Sequence, residues 1–467
     1  MEAAFAESAL AWDAVASLPV LSTLGSAISI DLRFPPVHVP SPIAAFTSTN
    51  AFAFAQPVSF TEAPEDGTVL LRGELSAADA IGAYALATRH PDVVGIFSDP
   101  AIESSIVCPG DPAVGSNSDV ARLLSASRLA RDGMKGRNVF LAIVDTGINL
   151  AHLQTKGRRP KLDARRSWTP PGVTTTPGNH PVNHGTMCAY DAGIVAPDAT
   201  LLDHAVLLSQ RHTTPSMVGL LSDAVAAYGN LLQLIRGLPR TSRALVVSNS
   251  WGMFSPQWDF PVGHPGNYSD NPAHPFNIIV ASLENEGADI LFAAGNCGRD
   301  CPDGRCGFGP ARPICGANSH PRVLSVAGID TTKLRVGYSS QGPGRLSAKK
   351  PDICTYTHFV GSGVYPEDGG TSAACPVAAG VVAAIRSKYP PSAVSPAQLR
   401  SVIYKTAEDL GDIGFDYDYG WGALAPLAIR TALAQAKTPS RPAARRKAAT
   451  AGRARRGSSA RSARKRH

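Results

Sequence analysis

The sequence predicts a doubly wound α/β domain, a mostly parallel sheet with helices on both faces, with a small α+β module on its N-terminal side. Three observations carry that reading. Short apolar runs, NVFLAIVDTG, ALVVSNSWG, DILFAAGN and RVLSVAGID, each stop at polar or glycine residues, and runs of this length fit strands covered on both faces. Helical patterns alternate with them, as in PSMVGLLSDAVAAYGNLLQLIRGL (215–238), which is the rhythm of a sheet wound with helices. Ligands in such sheets sit at the carboxyl ends of the strands. The chemistry is therefore expected where the runs stop, at Asp145, Ser250 and Asn296.

Taken in chain order, residues 1–60 contain Ala, Pro and Phe with little periodicity and stay unassigned. The α+β module occupies 61–110. In it TVLLRGEL reads as a strand, SAADAIGAYALATRH as an amphipathic helix and DVVGIFSD as a second strand. CPGDPAVGSNSD (108–119) reads as a linker. The main domain spans 111–435. Near its end, GGTSAACPVAAGVVAAI is small and apolar on every side and should be a buried helix. Pro376 is acceptable only close to the start of that helix, which puts Ser372 at its N-terminus. The tail, 436–467, is low-complexity Arg, Lys, Ala and Ser that cannot bury enough apolar surface to fold.

With 467 residues, 44% hydrophobic and 17% charged, the chain has the composition of a globular protein with a sizeable core. Its net charge of +7 is concentrated: residues 437–467 hold twelve Lys or Arg and no acid, leaving 32 basic against 37 acidic residues in the body. The N-terminus lacks the basic region of a secretory signal, and the longest apolar run, 373–385, is far below the roughly 20 residues of a membrane-spanning helix. The expectation is a cytoplasmic protein with no membrane partner, other export routes remaining open. A reducing compartment would keep most of the eight cysteines as thiols. Cys297, Cys301, Cys306 and Cys315 are spaced C-x3-C-x4-C-x8-C, looser than the paired C-x2-4-C of zinc sites. A structural staple is favoured there over a structural metal.

The sequence holds no phosphate-binding G-x-x-x-x-G-K-[ST], no G-x-G-x-x-G and no H-E-x-x-H. Asp145-Thr146-Gly147 has no second copy to supply an aspartic-protease dyad. Singly, each remaining candidate has a plain structural use. Asp145 can end a strand, His184 can pack or cap a helix, Ser372 or Thr371 can cap one, and Asn296 can make an Asx-turn. Together they read Asp, His, Ser in chain order with an Asn donor between His and Ser, the order of the subtilisin triad.

On these motifs the chain resembles the subtilase family of serine peptidases over roughly residues 115–435. IVDTGI (143–148), HGTMCA (184–189) and GTSAACPVAAG (370–380) are similar to its Asp, His and Ser motifs. AAGN (293–296) resembles its oxyanion segment, VVSNSWG (246–252) its substrate-pairing strand, and GYSSQGP with KPDIC the approach to the serine. The resemblance implies a serine endopeptidase with a polypeptide substrate. Ser372 would be the nucleophile, His184 the general base and Asp145 its orienting carboxylate, with Asn296 the oxyanion donor. Ser250, Trp251 and Gly252 would pair with substrate backbone, and Ala293, Ala294 and Gly295 would wall a pocket open to apolar side chains. The 61–110 module resembles a subtilase propeptide, implying a self-processing zymogen with its own module as partner. No cofactor is expected: after HGTMCA the chain passes almost directly to GIVAPDATLLDHAVL, with no room for the loop that holds a tight calcium in many subtilases. Cys188 and Cys375 stand where small residues are usual and should act as small hydrophobes. Two alternatives accompany this reading: a catalytically silent peptide-binding scaffold, and a protease brought to nucleic acid or another polyanion by its basic tail.

Overall fold

The computed structural model describes residues 28–40, 68–75, 80–87, 89–104, 112–209, 217–307 and 312–437. The basic tail, most of the first 60 residues and the first part of the linker lie outside the described residues. Seven parallel strands form the central sheet: β1 (Phe140–Val144), β2 (Lys161–Leu162), β3 (Thr200–His204), β4 (Leu245–Asn249), β5 (Asp289–Ala293), β6 (Leu324–Ile329) and β7 (Ile353–Tyr356). Their spatial order is β7-β6-β5-β4-β1-β3-β2. The chain starts in the middle at β1, fills one side with β2 and β3, then returns to lay β4 on the other side of β1. The switch of direction therefore falls between β1 and β4, where a doubly wound sheet opens a crevice at its carboxyl end.

Burial on both faces explains why these runs are continuously apolar. Successive residues of a strand point to opposite faces. Leu141 and Ile143 of β1 join one core layer with Val246, Leu291, Ala293 and Val326, while Ala142 and Val144 join the other with Leu245, Val247, Ile290 and Phe292. The first layer is closed by α1 (His184–Ala192) and α4 (Gly370–Arg386), the second by α2 (Leu221–Gly237) and α3 (Pro275–Asn285). Every residue of α4 is buried, which is why its sequence is apolar all round. Gly380 marks its crossing with α1, since a Cβ there would come within 2.3 Å of the Ala192 carbonyl oxygen. At the far end of α4, buried Arg386 donates to both oxygens of Asp289 (2.7 Å from Nη2 to Oδ1), tying the helix to the start of β5.

Four stretches differ from the sequence reading, three of them in the N-terminal part. DVVGIFSD is not a strand; the strand of this region is Ala101–Ser104. It forms there because two strands of the main domain, Val218–Leu220 and Trp251–Gly252, offer it backbone partners. The 215–238 pattern is helical only from Leu221, Val218–Leu220 being drawn into that pairing. The end of the supposed linker is helical: Ser116 and Asp119 form a capping box that starts a helix at Asn117–Leu123. Within the unassigned first 60 residues, Ser29–Ile30 and Val37–Val39 pair with Gly73–Glu74 and Thr68–Leu70. The module is docked on α2. The Asp99 carboxylate accepts from Ser222 N (2.7 Å) at the start of that helix, and buried Arg72 bridges Asp31 and Asp223. Among the described residues no helix is long and apolar enough to cross a membrane.

Candidate active site

Asp145 directly follows β1 and is fully buried. Its Oδ1 accepts from Thr146 N (2.7 Å), and His184 Nδ1 lies 2.9 and 3.0 Å from its two oxygens. A carboxylate can only accept, so Nδ1 carries a proton, and in the neutral imidazole Nε2 is then the lone-pair nitrogen. Nε2 is buried and has no hydrogen-bond partner among the described residues. His184 reaches this place as the first residue of α1, held there by Asn183, whose side chain accepts from His184 N. The fit between the Asp loop and α1 needs two glycines. Gly147 has φ +93° beneath the His180 ring, and a Cβ on Gly185 would meet the Gly147 carbonyl oxygen at 2.6 Å.

Ser372 is the third residue of α4, at the positive end of its dipole. Pro376 four residues on has no N–H, so it cannot bond the Ser372 carbonyl as a helix interior would. Two side chains take over that acceptor: Ser250 Oγ donates to it at 3.0 Å and Cys188 Sγ at 3.6 Å. Ser372 Oγ lies 3.4 Å from the Ser250 carbonyl oxygen, a long contact that leaves the hydroxyl loosely held. Cys188 lies beneath the group, its sulfur also 3.7 Å from Asp145 Oδ2 and 3.8 Å from His184 Nδ1. Asp145, His184 and Cys188 have the spacing of a metal-ligand set, but the first two already bond each other. Burial pushes the Cys188 thiol well above its usual range, with the Asp145 charge adding to it, and pushes Cys375 up to about 12. Both are protonated and enclosed, hence poor nucleophiles.

Asn296 lies just beyond β5 and is fully buried. Its Oδ1 accepts from Thr371 N (2.9 Å) and Thr371 Oγ1 (3.0 Å), while Thr371 Oγ1 accepts from Gly295 N (2.9 Å). With both Thr371 donors on the oxygen, the amide can turn only its NH2 end elsewhere. Ala294 and Gly295 line a small pocket with Gly252, Phe254, Ile314, Cys315 and Ser340. Ala293 is not a wall of it but packs in the sheet core, its carbonyl accepting from Asn318 Nδ2. Trp251 is buried, and its indole N–H donates to Val144 O at 2.9 Å, which aligns the edge that Trp251 and Gly252 present.

That edge is occupied. Ala101–Ser104 lies antiparallel between Val218–Leu220 and Trp251–Gly252, with Ser104 opposite Trp251 and Glu103 opposite Gly252. Ile102 is fully buried among the apolar side chains below. Nothing in the local sequence of this segment distinguishes it, because its strand character comes from partners more than 100 residues away.

The cysteine cluster resolves differently from a metal site. Cys297 and Cys306 form a disulfide, Cys301 is also disulfide-bonded, and Cys315 is a free buried thiol directed at Met253 O. The four sulfurs are therefore divided between disulfide bonds and one buried thiol. The expectation that the cysteines remain thiols holds for Cys188, Cys315, Cys354 and Cys375; the bridges are of the kind that persists in oxidising surroundings.

The sequence model of the subtilase family matches residues 136–422. The chain is 29% identical over 311 residues to subtilisin DY of Bacillus licheniformis, covering 65% of this chain and 94% of that protein. It is 26% identical over 310 residues to subtilisin E of Bacillus subtilis strain 168, covering 64% and 68%. It is 27% identical over 344 residues to the calcium-dependent protease of Trichormus variabilis, covering 64% and 47%. With the parallel seven-stranded sheet, the buried Asp145–His184 pair and the serine at the head of α4, these matches lead to one conclusion: the chain belongs to the subtilase family of serine endopeptidases.

Proposed function

We propose that the chain is a self-processing endopeptidase whose nucleophile is Ser372. His184 Nε2, the lone-pair nitrogen, takes the Ser372 proton as Oγ attacks the scissile carbonyl and returns it to the leaving amine. Asp145 holds the ring in that tautomer and stabilises the imidazolium. The oxyanion of the tetrahedral intermediate is received by the Asn296 NH2 group and the Ser372 N–H at the helix start. Substrate enters as the middle strand of the antiparallel sheet, against Trp251–Gly252 on one side and Val218–Leu220 on the other.

The observation that carries this reading is the chain's own segment Ala101–Ser104 in that middle position. Its register orients it as a substrate would lie. Ser104 faces Trp251, the residue next to Ser250, whose carbonyl is the group beside Ser372 Oγ. A peptide held in this register is cut one residue beyond the one that faces Trp251, which in this sequence is the bond after position 105. The N-terminal module docked on α2 then acts as the inhibitor, filling the groove before and after the cut.

N-terminal sequencing of the wild type and of Ser372→Ala tests this directly. The wild type should begin at residue 106 and label with a serine-directed fluorophosphonate; Ser372→Ala should keep its original N-terminus and remain unlabelled. The same new N-terminus in both proteins, or an unlabelled wild type, would refute it.

A further inference from the structure

Beside the occupied groove, the loop that follows Asn296 brings a guanidinium over the bound segment. Arg305 Nη1 donates to Glu103 Oε2, and Arg305 Nη2 donates to the Ser104 carbonyl at 2.8 Å. The contact is built rather than incidental. Asp303, itself buried, accepts from Arg305 Nε at 3.0 Å, Nη2 at 2.7 Å and the Arg305 backbone N at 3.0 Å. The guanidinium plane sits over the Phe254 ring, 4.7 Å from its centroid. The loop is closed on both sides of Arg305: the Cys297–Cys306 disulfide shuts its base, Asp303 N donates to Asn296 O at 2.8 Å, and Gly307 N donates to Phe254 O at 2.8 Å. Such a fork, with its rotamers already fixed, loses little entropy on taking a carboxylate.

The alternation of the strand decides what this guanidinium can read. Ile102 points down into the apolar core, so Glu103 points to the opposite face, where Arg305 waits. Glu103 is opposite Gly252, two positions before the proposed cut residue 105 in sequence. Resting on the proposed endopeptidase activity and its register, we propose that Arg305 is a specificity-determining residue that selects an acidic side chain at the third position before the scissile bond. The bond to the backbone carbonyl of the next residue, Ser104 here, positions any peptide; the bond to the carboxylate discriminates. A neutral or basic side chain at that position leaves the Asp303-bound guanidinium short of one acceptor.

The test uses the full-length protein and a pair of fluorogenic peptides that differ only in Glu against Gln at the third position. Wild type should favour Glu by about tenfold in kcat/KM, the size expected of a partly screened charge-assisted hydrogen bond. In Arg305→Ala the Glu-to-Gln ratio should fall to about one. A ratio near one in the wild type, or a ratio unchanged in Arg305→Ala, overturns the proposal while leaving the endopeptidase reading intact. Absence of cleavage of either peptide, with no fluorophosphonate labelling, overturns both. Self-processing gives an independent arm: Glu103→Arg and Arg305→Glu should each slow it, and the double exchange should restore it. Two slow single variants without restoration in the double also count against a direct pairing.

Discussion

Asn296 shows how one side chain is aimed by its neighbours. Thr371 occupies its oxygen with two donors, and this fixes which way the amide faces; in the proposed mechanism its hydrogen-bearing end meets the oxyanion. Asn296→Ala is expected to lower kcat by about 10²–10³-fold with little change in KM, the cost established for removing one oxyanion amide in a subtilisin; steady-state kinetics on a soluble peptide would check it, and a wild-type kcat in the variant would remove Asn296 from the mechanism. At this scale the sequence is informative where a residue stands at the end of an apolar run. Asp145, Ser250 and Asn296 are all found that way, because a strand end is a local property. Arg305 is not found, since only the folded loop carries it to Glu103, which lies 202 positions earlier.

Among the elements, α4 joins the chemistry to the fold. Its first turn presents Ser372, its middle crosses α1 at Gly380, and its last residue, Arg386, clamps Asp289 at the start of β5. Both side chains of that clamp are buried, so removing one strands the other as an uncompensated charge. Arg386→Ala should cost about 3–5 kcal/mol of stability, whereas the apolar pair Arg386→Met with Asp289→Leu should cost much less or even stabilise. Urea unfolding of the three proteins would distinguish a stranded charge from simple loss of packing, which the apolar pair would not repair. The continuous apolarity of α4 is legible in sequence. Its relief at Pro376 is not, because the acceptor that Pro376 leaves open is satisfied by Ser250 and Cys188 from other elements.

For the molecule as a whole, stability is coupled to protons held in the core. Asp203 at the end of β3 is pushed up to about 7 by burial, against the two backbone N–H bonds it accepts on Oδ2 from Ile148 and Gly178. Its Oδ1 has no hydrogen-bond partner among the described residues, so no donor there offsets the cost of ionising it. The folded state thus holds this proton across a window where the unfolded chain, near 3.8, has lost it. Stability from this group is present at low pH and declines as pH rises toward about 7, by up to about 1.4 kcal/mol per pH unit. His204 and His274, lowered by burial to about 4, act oppositely and lose stability as pH falls from 6.5 to about 4. The informative quantity is therefore the difference between wild type and Asp203→Asn. The variant's melting temperature should gain on the wild type as pH is raised from 4 to 7, and parallel curves would exclude a proton on Asp203.

What the sequence by itself determined is the set of properties that repeat locally. Apolar runs made strands, all-round apolarity made α4, and run ends marked the crevice, since a strand or helix is specified by the periodicity of its own side chains. What only the tertiary structure decided is whatever needs a partner far along the chain. Ala101–Ser104 becomes a strand through edges that lie more than 100 residues away. Cys297 bonds Cys306 while Cys315 stays a thiol, and Arg305 faces Glu103. Backbone hydrogen bonds, sulfur–sulfur distance and charge pairing are properties of positions in space, and the chain's order fixes those positions only once it has folded.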